Sequence, residues 1–432
     1  MLKKIKNIIS KTDSFFYKRF GSDKSTKILE NISEAQIIFN CLNKKGIENQ
    51  TKFVGGCVRK AINGEEIDDI DLATSLTPDQ VKNRLSKEDI RIIDTGIEHG
   101  TLTLILNKRK FEITTLRKDI LTDGRHANVE FTTNWEMDAS RRDFTINAIY
   151  ADIEGRIYDP LNGMLDLKKG NIKFIGITDE RIQEDYLRIL RYFRFYNQYS
   201  KTKHDHNVIG SIKKNINGLN KISNERIFVE LKKILKNKNF YNLFTDSNSK
   251  EILLNIFPQF KYYERLKIID TFSPNLRKNY DTDLILSLLI LDDTKEYEYF
   301  CHKYSTSNSI KNKFKNISTN FETIKSKKFY SKANIKKLIY LSNKDYVKDL
   351  VLFSIFINKN IKNVDIEELI KYVDTSKAPK FPISGEYLKS YGYVTGEELG
   401  KKLKSLKEEW IENNFVLEKK ILEKSLRKKN KN

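Results

Sequence analysis

The sequence predicts an α+β chain whose strands come early and whose remainder is helical. Short runs with the apolar and polar alternation of strands lie at 90–93, 101–106 and 110–116. From residue 240 onward, one segment after another has the apolar spacing of helices, with polar breaks between them. At 432 residues, the chain is too long for one simple domain and can bury large cores.

The first elements follow from spacing and from capping residues. Residues 31–48 place apolar side chains at helical spacing, and Phe53-Val54 forms a short strand that leads into two glycines. A further helix begins at Thr77-Pro78, because threonine caps helices, proline suits the first helical position and Gln80 completes a capping box. Ser223 is predicted to cap another helix in the same way.

The composition is strongly basic. Lys and Arg number 79 against 58 Asp and Glu, which gives a formal net charge of +21, a common property of nucleic-acid binders. The basic residues are spread over the whole chain, so a bias towards Lys and Asn explains the charge equally well. Three scattered cysteines indicate a reducing compartment and no zinc site. No apolar run approaches the roughly 20 residues needed to cross a bilayer, so no membrane is expected.

Residues 1–30 are predicted to form a basic N-terminal extension. The first of them, MLKKIKNIISK, are amphipathic, but no long hydrophobic segment or small-residue cleavage site follows, which argues against a secretory signal. A transit peptide or a membrane-surface helix is the alternative to a plain extension. We expect a cytoplasmic protein, with the mitochondrial matrix as the alternative compartment.

The stretch Phe53–Thr74 begins with a candidate phosphate site. It reads FVGGCVRKAINGEEIDDIDLAT. Gly55 and Gly56 open a helical segment, where bare backbone N–H groups bind anions, and Arg59 adds a positive charge. A turn of no functional consequence is the alternative for a glycine pair taken alone.

Three carboxylates on two predicted strands are the candidates for catalysis. Asp69 and Asp71 share one face of a short strand, where they repel each other unless a cation lies between them, and oxygen ligands suit Mg²⁺. Glu112 lies on the strand KFEITTL, on the face opposite Phe111. We take Glu112 as a residue that holds a cation or accepts the proton of an attacking hydroxyl. A cross-strand salt bridge is an equal alternative for Glu112, and a solvated strand end is the alternative for the aspartates.

The order of these features resembles the signature of the tRNA nucleotidyltransferase and bacterial poly(A) polymerase family, class II of the polymerase-β-like nucleotidyltransferases. That signature continues Val-Arg with Asp, where this chain has Lys60. The departure bears on the orientation of Arg59 rather than on the chemistry. The resemblance covers most of residues 50–240 and the segment 380–415.

The second family motif is RRDFTINA, at residues 141–148. Arg142 suits a triphosphate, because a guanidinium donates several hydrogen bonds, and Asp143 can accept one from a ribose hydroxyl. A surface cluster of ion pairs is the alternative.

A third motif lies in ERIQEDYLRILRYFRF, residues 180–195, which is predicted to be one helix. Its Glu-Asp-x-x-Arg resembles the element by which the family reads the nucleobase. An ionised Asp185 only accepts hydrogen bonds and Arg188 only donates them, so the pair matches cytosine and adenine and mismatches uracil and guanine. Arg191 and Arg194 extend the basic line towards phosphate or primer. A salt-bridged helix face is the alternative.

Four further segments complete the sequence predictions. Residues 117–128 are polar and are predicted to be a mobile loop beside the active site, and His204-Asp205-His206 a solvated loop. Near the C-terminus, Thr395 is predicted to start a capping box before a helix whose apolar stripe includes Leu406 and Trp410, and Gly400 is expected to allow close packing. From residue 418 on, lysines dominate, which predicts a frayed end or an RNA contact.

The resemblance implies a small mixed-sheet head followed by an all-α neck, body and tail. The domains expected are a basic extension at 1–30, a nucleotidyltransferase head at 31–160, a neck for nucleobase recognition at 161–245, a helical body at 246–375 and a tRNA-binding tail at 376–432. The implied reaction adds C and A nucleotides to the 3′ end of tRNA from CTP and ATP, with two Mg²⁺ ions and release of diphosphate. No oligomeric state is predicted. A poly(A) polymerase of the same fold, and an RNA-binding protein without catalysis, are the alternatives.

Overall fold

The computed structural model describes residues 26–43, 50–122, 127–237, 239–358, 365–417 and 426. By its internal contacts the chain divides into two compact units, Met1–Ile256 and Phe257–Asn432. Residues 1–25 of the predicted N-terminal extension, and the lysine-rich end from 418 apart from Leu426, lie outside the described residues.

A mixed sheet forms the base of the first unit. In the described part of this unit, seven strands pair in the order β3-β4-β5-β2-β1-β8-β9, and β6 and β7 form a separate hairpin. The pairing of β2 with β5 is parallel, whereas β1–β2, β3–β4 and β4–β5 are antiparallel. The strands are β1 (Thr51–Val54), β2 (Ile70–Thr74), β3 (Arg91–Gly96), β4 (Thr101–Leu106), β5 (Arg109–Thr115), β6 (Arg117–Thr122), β7 (Ala127–Phe131), β8 (Tyr150–Ala151) and β9 (Ile157–Tyr158).

Helices surround this sheet and continue beyond it. In the first unit they are α1 (Ser33–Leu42), α2 (Gly56–Ile62), α3 (Pro78–Leu85), α4 (Trp135–Ser140), α5 (Gly163–Lys169), α6 (Thr178–Glu184), α7 (Arg188–Tyr199), α8 (His206–Asn215), α9 (Asn224–Leu235), α10 (Asn242–Thr245) and α11 (Ser247–Ile256). The capping box at Thr77 and the Ser223 cap are both confirmed. The predicted α+β class, with a mixed sheet followed by helices, is also confirmed.

The core joins the sheet to the helices that follow it. On β5, Phe111 and Ile113 are buried while Glu112 is exposed, as the alternation predicts. The buried Phe144 ring, just after α4, lies 5.4 Å from the Phe195 ring of α7, edge to face, and 4.6 Å from Phe174. The segment after α4, the segment between α5 and α6, and helix α7 therefore share one aromatic cluster.

The prediction of one continuous helix over 180–195 is wrong. Helix α6 ends at Glu184 and α7 begins at Arg188, and Asp185 between them has an extended backbone with φ −152° and ψ 101°. The Asp185 carboxylate accepts a hydrogen bond from the backbone N–H of Leu187 at 3.2 Å. An aspartate that bonds its own neighbouring backbone competes with the helical ladder, which explains the break.

Two predicted loops are also corrected. The described parts of 117–128 belong to the hairpin of β6 and β7, and residues 123–126 lie outside the described residues. His204 is buried rather than solvated, because its ring nitrogens lie 2.9 Å from the Tyr192 hydroxyl and 2.7 Å from Ser249 Oγ. Those partners lie 12 and 45 positions away in the sequence, so the polar residues that flank His204 do not reveal its burial.

The second unit is helical wherever it is described in regular structure. Its α-helices are α12 (Pro274–Arg277), α13 (Thr282–Ile290), α14 (Tyr297–Lys303), α15 (Asn308–Thr319), α16 (Phe321–Lys325), α17 (Lys332–Leu341), α18 (Lys344–Ile357), α19 (Ile366–Thr375), α20 (Gly385–Lys389) and α21 (Glu397–Glu412). Within the described ranges, no helix is both long enough and apolar enough to span a bilayer.

The last helix, α21, confirms its predicted apolar stripe, with Leu406 and Trp410 buried. The capping box predicted at Thr395 is wrong. The N-cap is Gly396, whose φ of 154° favours glycine, and no side chain caps the helix. Gly400 does not serve close packing either, since a Cβ there would meet no atom within 4 Å.

Candidate active site

An open polar cleft lies between the sheet and the helices α7 and α9 of the first unit. It brings together every site residue predicted from the sequence except Glu112, which is not part of its lining. The predicted residues that line it are Gly55, Gly56, Arg59, Asp69, Asp71, Arg142, Asp143, Asp185, Arg188, Arg191 and Arg194.

Two aspartates at the start of β2 bring negative charge into the cleft. Asp71 lies on the strand and Asp69 directly before it, where Asp69 is exposed. The parallel register of β2 and β5 places Asp71 opposite Glu112. Burial raises the pKa of Asp71, and the charges of Glu112 and Asp69 raise it further, while Arg142 and Arg59 lower it. Asp71 is therefore held in a site that favours an additional cation.

The donor set fits Mg²⁺ in part. In the described part of the chain, no three His, Cys, Asp or Glu residues form a complete ligand group. Glu112 is half exposed and forms a salt bridge of 2.5 Å with Lys110, so it is ion-paired as its second alternative predicts, but with a neighbour on its own strand rather than across strands. Mg²⁺ commonly takes one or two carboxylates and completes its shell with water and substrate phosphates. Asp69 and Asp71 are sufficient for that mode.

The two glycines lie at the start of α2. Gly55 is the N-cap with φ 69°, a conformation that suits glycine, and Gly56 begins the helix. A Cβ at Gly55 would lie 3.8 Å from Arg142 Nη1, whereas a Cβ at Gly56 would meet no atom within 4 Å. The backbone at Gly56 is thus open to the cleft, next to the Arg142 guanidinium.

Arg59 lines the cleft, but its guanidinium is already in contact with other protein groups. It is buried, donates to Asn147 Oδ1, and stacks between rings of α7, with its guanidinium carbon 4.8 Å from the Phe195 centroid and 5.1 Å from that of Tyr199. A direct contact between Arg59 and phosphate stays a prediction. Lys60, which stands where the family has Asp, forms a salt bridge with Asp68.

Arg142 is oriented by a buried carboxylate that the sequence analysis missed. Asp138, one helical turn before it, accepts from Arg142 Nη2 at 2.9 Å and from the Tyr150 hydroxyl at 2.8 Å. Burial opposes ionisation of Asp138, yet Arg142 and Arg141 lower its pKa to about 2. The i, i+4 spacing of Asp138 and Arg142 in the sequence is the signal from which this ion pair could have been predicted.

Asp143 joins the sheet side of the cleft to α7. Its Oδ2 lies 2.6 Å from Arg191 Nη2, and its Oδ1 accepts from Asn147 Nδ2 at 2.8 Å and from the Phe144 backbone N–H at 2.9 Å. Although burial opposes ionisation, Arg191 lowers the pKa of Asp143 to about 2. A hydrogen bond from Asp143 to ribose stays a prediction, in competition with these donors.

Asp185 and Arg188 both face the cleft but pair with other residues. Arg188 Nη1 donates to Glu184 Oε2 at 2.6 Å and to the Arg181 carbonyl at 2.7 Å, while Asp185 Oδ2 accepts from Arg226 Nη2 of α9 at 2.8 Å. The salt-bridged helix face considered as the alternative is therefore present at Glu184. Asp185 and Arg188 are therefore each oriented by a different partner, Asp185 by Arg226 and Arg188 by Glu184.

Arg194 completes the row of arginines on α7. Its Nη1 lies 3.1 Å from Glu230 Oε1 of α9, and its guanidinium carbon lies 4.4 Å above the Phe195 ring. Burial lowers the pKa of Arg194 to about 10. Arg226 and Glu230 were missed as site residues, because their partners lie 41 and 36 positions away in the sequence.

Comparison with known proteins places this architecture in a family. Residues 51–173 match the family model "Poly A polymerase head domain", and residues 205–264 match "Probable RNA and SrmB- binding site of polymerase A". The chain is 36% identical over 388 residues to the human CCA tRNA nucleotidyltransferase 1, mitochondrial, with 86% of this chain and 85% of that protein covered. It is 30% identical over 399 residues to the CCA-adding enzyme of Lactobacillus helveticus, with 89% and 94% covered.

Solved structures agree on the fold. The CCA-adding enzyme of Bacillus stearothermophilus in complex with CTP superposes with a TM-score of 0.69 at 22% identity, covering 92% of this chain and 97% of that one. The Thermotoga maritima CCA-adding enzyme complexed with tRNA_CCA gives a TM-score of 0.63 at 20% identity, covering 93% and 97%. From its sequence relatives, its head domain and its fold, this chain belongs to the family of CCA-adding tRNA nucleotidyltransferases.

Proposed function

We propose that this protein adds C and A nucleotides to the 3′ end of tRNA from CTP and ATP, without a nucleic-acid template and with release of diphosphate. The observation that carries the proposal is one cleft lined by the Asp69 and Asp71 carboxylates at β2 and by Asp185 and Arg188 at the break between α6 and α7. Support comes from relatives named for this reaction and from family neighbours in complex with CTP, ATP and tRNA_CCA.

Asp69 and Asp71 are the residues that would hold Mg²⁺, with two ions expected. Held by these two carboxylates, Mg²⁺ would supply positive charge to stabilise the charge that develops on the attacking and leaving oxygens. Asp71 is suited to this role because burial and two neighbouring carboxylates leave it with excess negative potential. Glu112 stays a candidate for a proton acceptor, reached only if its salt bridge with Lys110 opens.

The triphosphate is proposed to lie against Gly56 and Arg142. The open backbone at Gly56 admits a phosphate oxygen, and Gly55 lets the chain turn there. Arg142 adds a guanidinium whose orientation is set by Asp138 and Tyr150. Arg59, Arg191 and Arg194 are each already engaged by protein groups, so their proposed contribution is positive electrostatic potential in the cleft.

Nucleobase choice is assigned to Asp185 and Arg188. Cytosine and adenine each offer an amino donor beside a ring-nitrogen acceptor, which an accepting Asp185 and a donating Arg188 match. Uracil and guanine present a carbonyl and an N–H at the corresponding places, and leave both side chains mismatched. Oδ1 of Asp185 accepts from the Leu187 backbone N–H and Oδ2 accepts from Arg226, so the carboxylate is pre-oriented before a base arrives.

The tRNA partner is proposed to bind through its phosphates. A formal charge of +21 supports many Lys and Arg contacts with the acceptor end. The proposed domains that share these tRNA contacts follow the head at 31–160. They are the neck at 161–245, the body at 246–375 and the tail at 376–432. The animal relatives are named mitochondrial, so the compartment proposed is the cytoplasm or the mitochondrial matrix.

The test is incorporation into tRNA that lacks its CCA end, with each nucleoside triphosphate singly and in pairs, followed by sequencing of the products. The proposal predicts that CTP and ATP together yield CCA and that UTP and GTP are rejected. Long tracts of A from ATP alone would instead indicate a poly(A) polymerase. Binding of tRNA with no incorporation would indicate an RNA-binding protein without catalysis.

A further inference from the structure

The break between α6 and α7 is held by an aromatic ring that lies against a backbone. The break consists of Asp185, Tyr186 and Leu187, so Tyr186 stands between the two proposed base-reading residues. Asp185 is extended and lies outside the helical ladder of α7, and one backbone hydrogen bond, from the Arg188 N–H to the Asp185 carbonyl at 3.0 Å, joins the two residues. The contacts of Asp185, Tyr186 and Leu187 must set the rest of that geometry.

The Tyr186 ring occupies the space that a side chain at Gly218 would need. A Cβ built on Gly218 would lie 1.9 Å from Tyr186 Cε1, 2.0 Å from Cδ1 and 2.4 Å from Cζ. Gly218 is not among the described glycines with a positive φ, so its backbone conformation does not explain the glycine. The ring explains it, because close-packed atoms cannot interpenetrate.

The segment beneath the ring is tied to α6. Gly218 lies in the 3₁₀ helix Ile216–Lys221, which follows α8 directly. At that junction, Asn215 Nδ2 donates to Asp179 Oδ1 at 2.7 Å, and Asn215 Oδ1 accepts from Gln183 at 3.1 Å. The same junction therefore supports both α6 and the surface on which Tyr186 rests.

We propose that the contact of Tyr186 with Gly218 positions the Asp185 carboxylate and the Arg188 guanidinium for the nucleobase, and so helps to determine which nucleotide is accepted. The inference rests on the proposed function. Tyr186 and Gly218 are positioning residues, since neither is assigned a contact with the nucleotide. The salt bridges with Arg226 and Glu184 orient the side-chain ends, whereas the ring fixes the backbone that carries them.

The test compares Gly218→Ala, Tyr186→Ala, Tyr186→Phe and Gly210→Ala in the full-length protein. Gly210 is the matched control, because it lies in the adjacent helix α8 and a Cβ there would meet no atom within 4 Å. The measurements are kcat/KM for the four nucleoside triphosphates on one tRNA primer, the affinity for CTP and UTP at equilibrium, and the Tm of each variant.

Gly218→Ala and Tyr186→Ala should lower the CTP:UTP and ATP:GTP ratios on the order of tenfold or more, because base-reading groups displaced by about 1 Å no longer form well-aligned hydrogen bonds with the base. KM for CTP should rise more than kcat falls, since Asp69 and Asp71 are untouched. Tyr186→Phe keeps the ring and should keep the ratios, as should Gly210→Ala. In the double variant Tyr186→Ala/Gly218→Ala, the added Cβ has room, so the Tm should recover relative to Gly218→Ala while the ratios stay low.

Wild-type ratios in a folded Tyr186→Ala protein would overturn this inference and leave the proposed function intact. If Gly218→Ala does not fold, Tyr186→Ala and the double variant carry the test, because neither of them places a Cβ at position 218 against a tyrosine ring. A wild-type protein that does not itself discriminate C and A from U and G would overturn the proposed function, and this inference with it.

Discussion

The Asp143 carboxylate and the Arg191 guanidinium meet at 2.6 Å and join the sheet side of the cleft to helix α7. Asp143 is buried and Arg191 largely so, and Asn147 and the Phe144 backbone satisfy the other oxygen of Asp143. The pair therefore links the sheet side of the cleft, which carries the proposed catalytic aspartates, to helix α7, which begins with the proposed base-reading residue Arg188.

Removing one partner of this pair should strongly destabilise the first unit. Asp143→Ala removes the carboxylate partner of the half-buried Arg191 guanidinium and the acceptor of Asn147 and of the Phe144 N–H, which together should cost about 3 kcal/mol. The measurement is the urea dependence of unfolding at pH 7. The matched control is Glu251→Ala, which breaks the exposed pair with Lys213 and should cost about 1 kcal/mol or less. Equal losses for the two variants would contradict the structural role of Asp143.

Stability should fall in acid because of two buried aspartates. The pKa values of Asp138 and Asp143 are lowered to about 2 in the folded chain, against about 3.9 for an ordinary aspartate. A lowered folded-state pKa contributes stability that is present above about pH 4 and is lost as the pH falls towards 2. Urea midpoints measured from pH 6 to pH 2 should therefore decline more steeply for the wild type than for Asp138→Asn. Identical slopes would contradict the assignment.

Base choice should depend on Asp185 and Arg188. Each lost bond to a charged group costs about 1.5–3 kcal/mol, so Asp185→Ala and Arg188→Ala should lose discrimination against UTP and GTP as well as rate. The measurement is kcat/KM for all four nucleotides on one primer. Glu180→Ala, an exposed acid on α6, is the control and should keep the wild-type ratios. A proportional fall for all four nucleotides would assign these residues to chemistry or folding instead.

Binding of tRNA should weaken steeply with salt. Each phosphate contact releases counterions, so a chain with a net charge of +21 should show a linear fall of log affinity with log salt concentration. The measurement is the Kd for tRNA at several NaCl concentrations, with the nucleotide absent. An affinity that does not change between low and physiological salt would contradict binding through phosphates.

The sequence predicted local features well and long-range pairs poorly. The alternation around Glu112, the capping box at Thr77 and the glycine-opened helix α2 all depend on neighbours in the sequence, and all are confirmed. The break at Asp185 and the burial of His204 were missed. The break depends on a local bond, from the Leu187 N–H to the Asp185 carboxylate, which helical apolar spacing does not reveal, whereas the burial of His204 depends on Tyr192 and Ser249, which folding brings near.

The candidate site shows the same division. Spacing, chemistry and the family resemblance together selected eleven residues that line one cleft. They did not reveal that most of the arginines are already engaged, Arg59 by Asn147, Arg191 by Asp143 and Arg194 by Glu230. A sequence motif defines which group is present, whereas its hydrogen-bond partner depends on the packing of elements far apart along the chain.

The most direct test of the account is the transfer of CMP from labelled CTP to tRNA lacking CCA, with Mg²⁺ present, by the wild type and by Asp71→Asn. Asp71 carries a raised pKa because of burial and of Glu112 and Asp69, so neutralising it relieves repulsion and should not lower the Tm. The account predicts a folded variant whose transfer is lost, because the proposed metal ligand is gone. Near-normal transfer by folded Asp71→Asn would contradict the assignment of the catalytic site to Asp69 and Asp71.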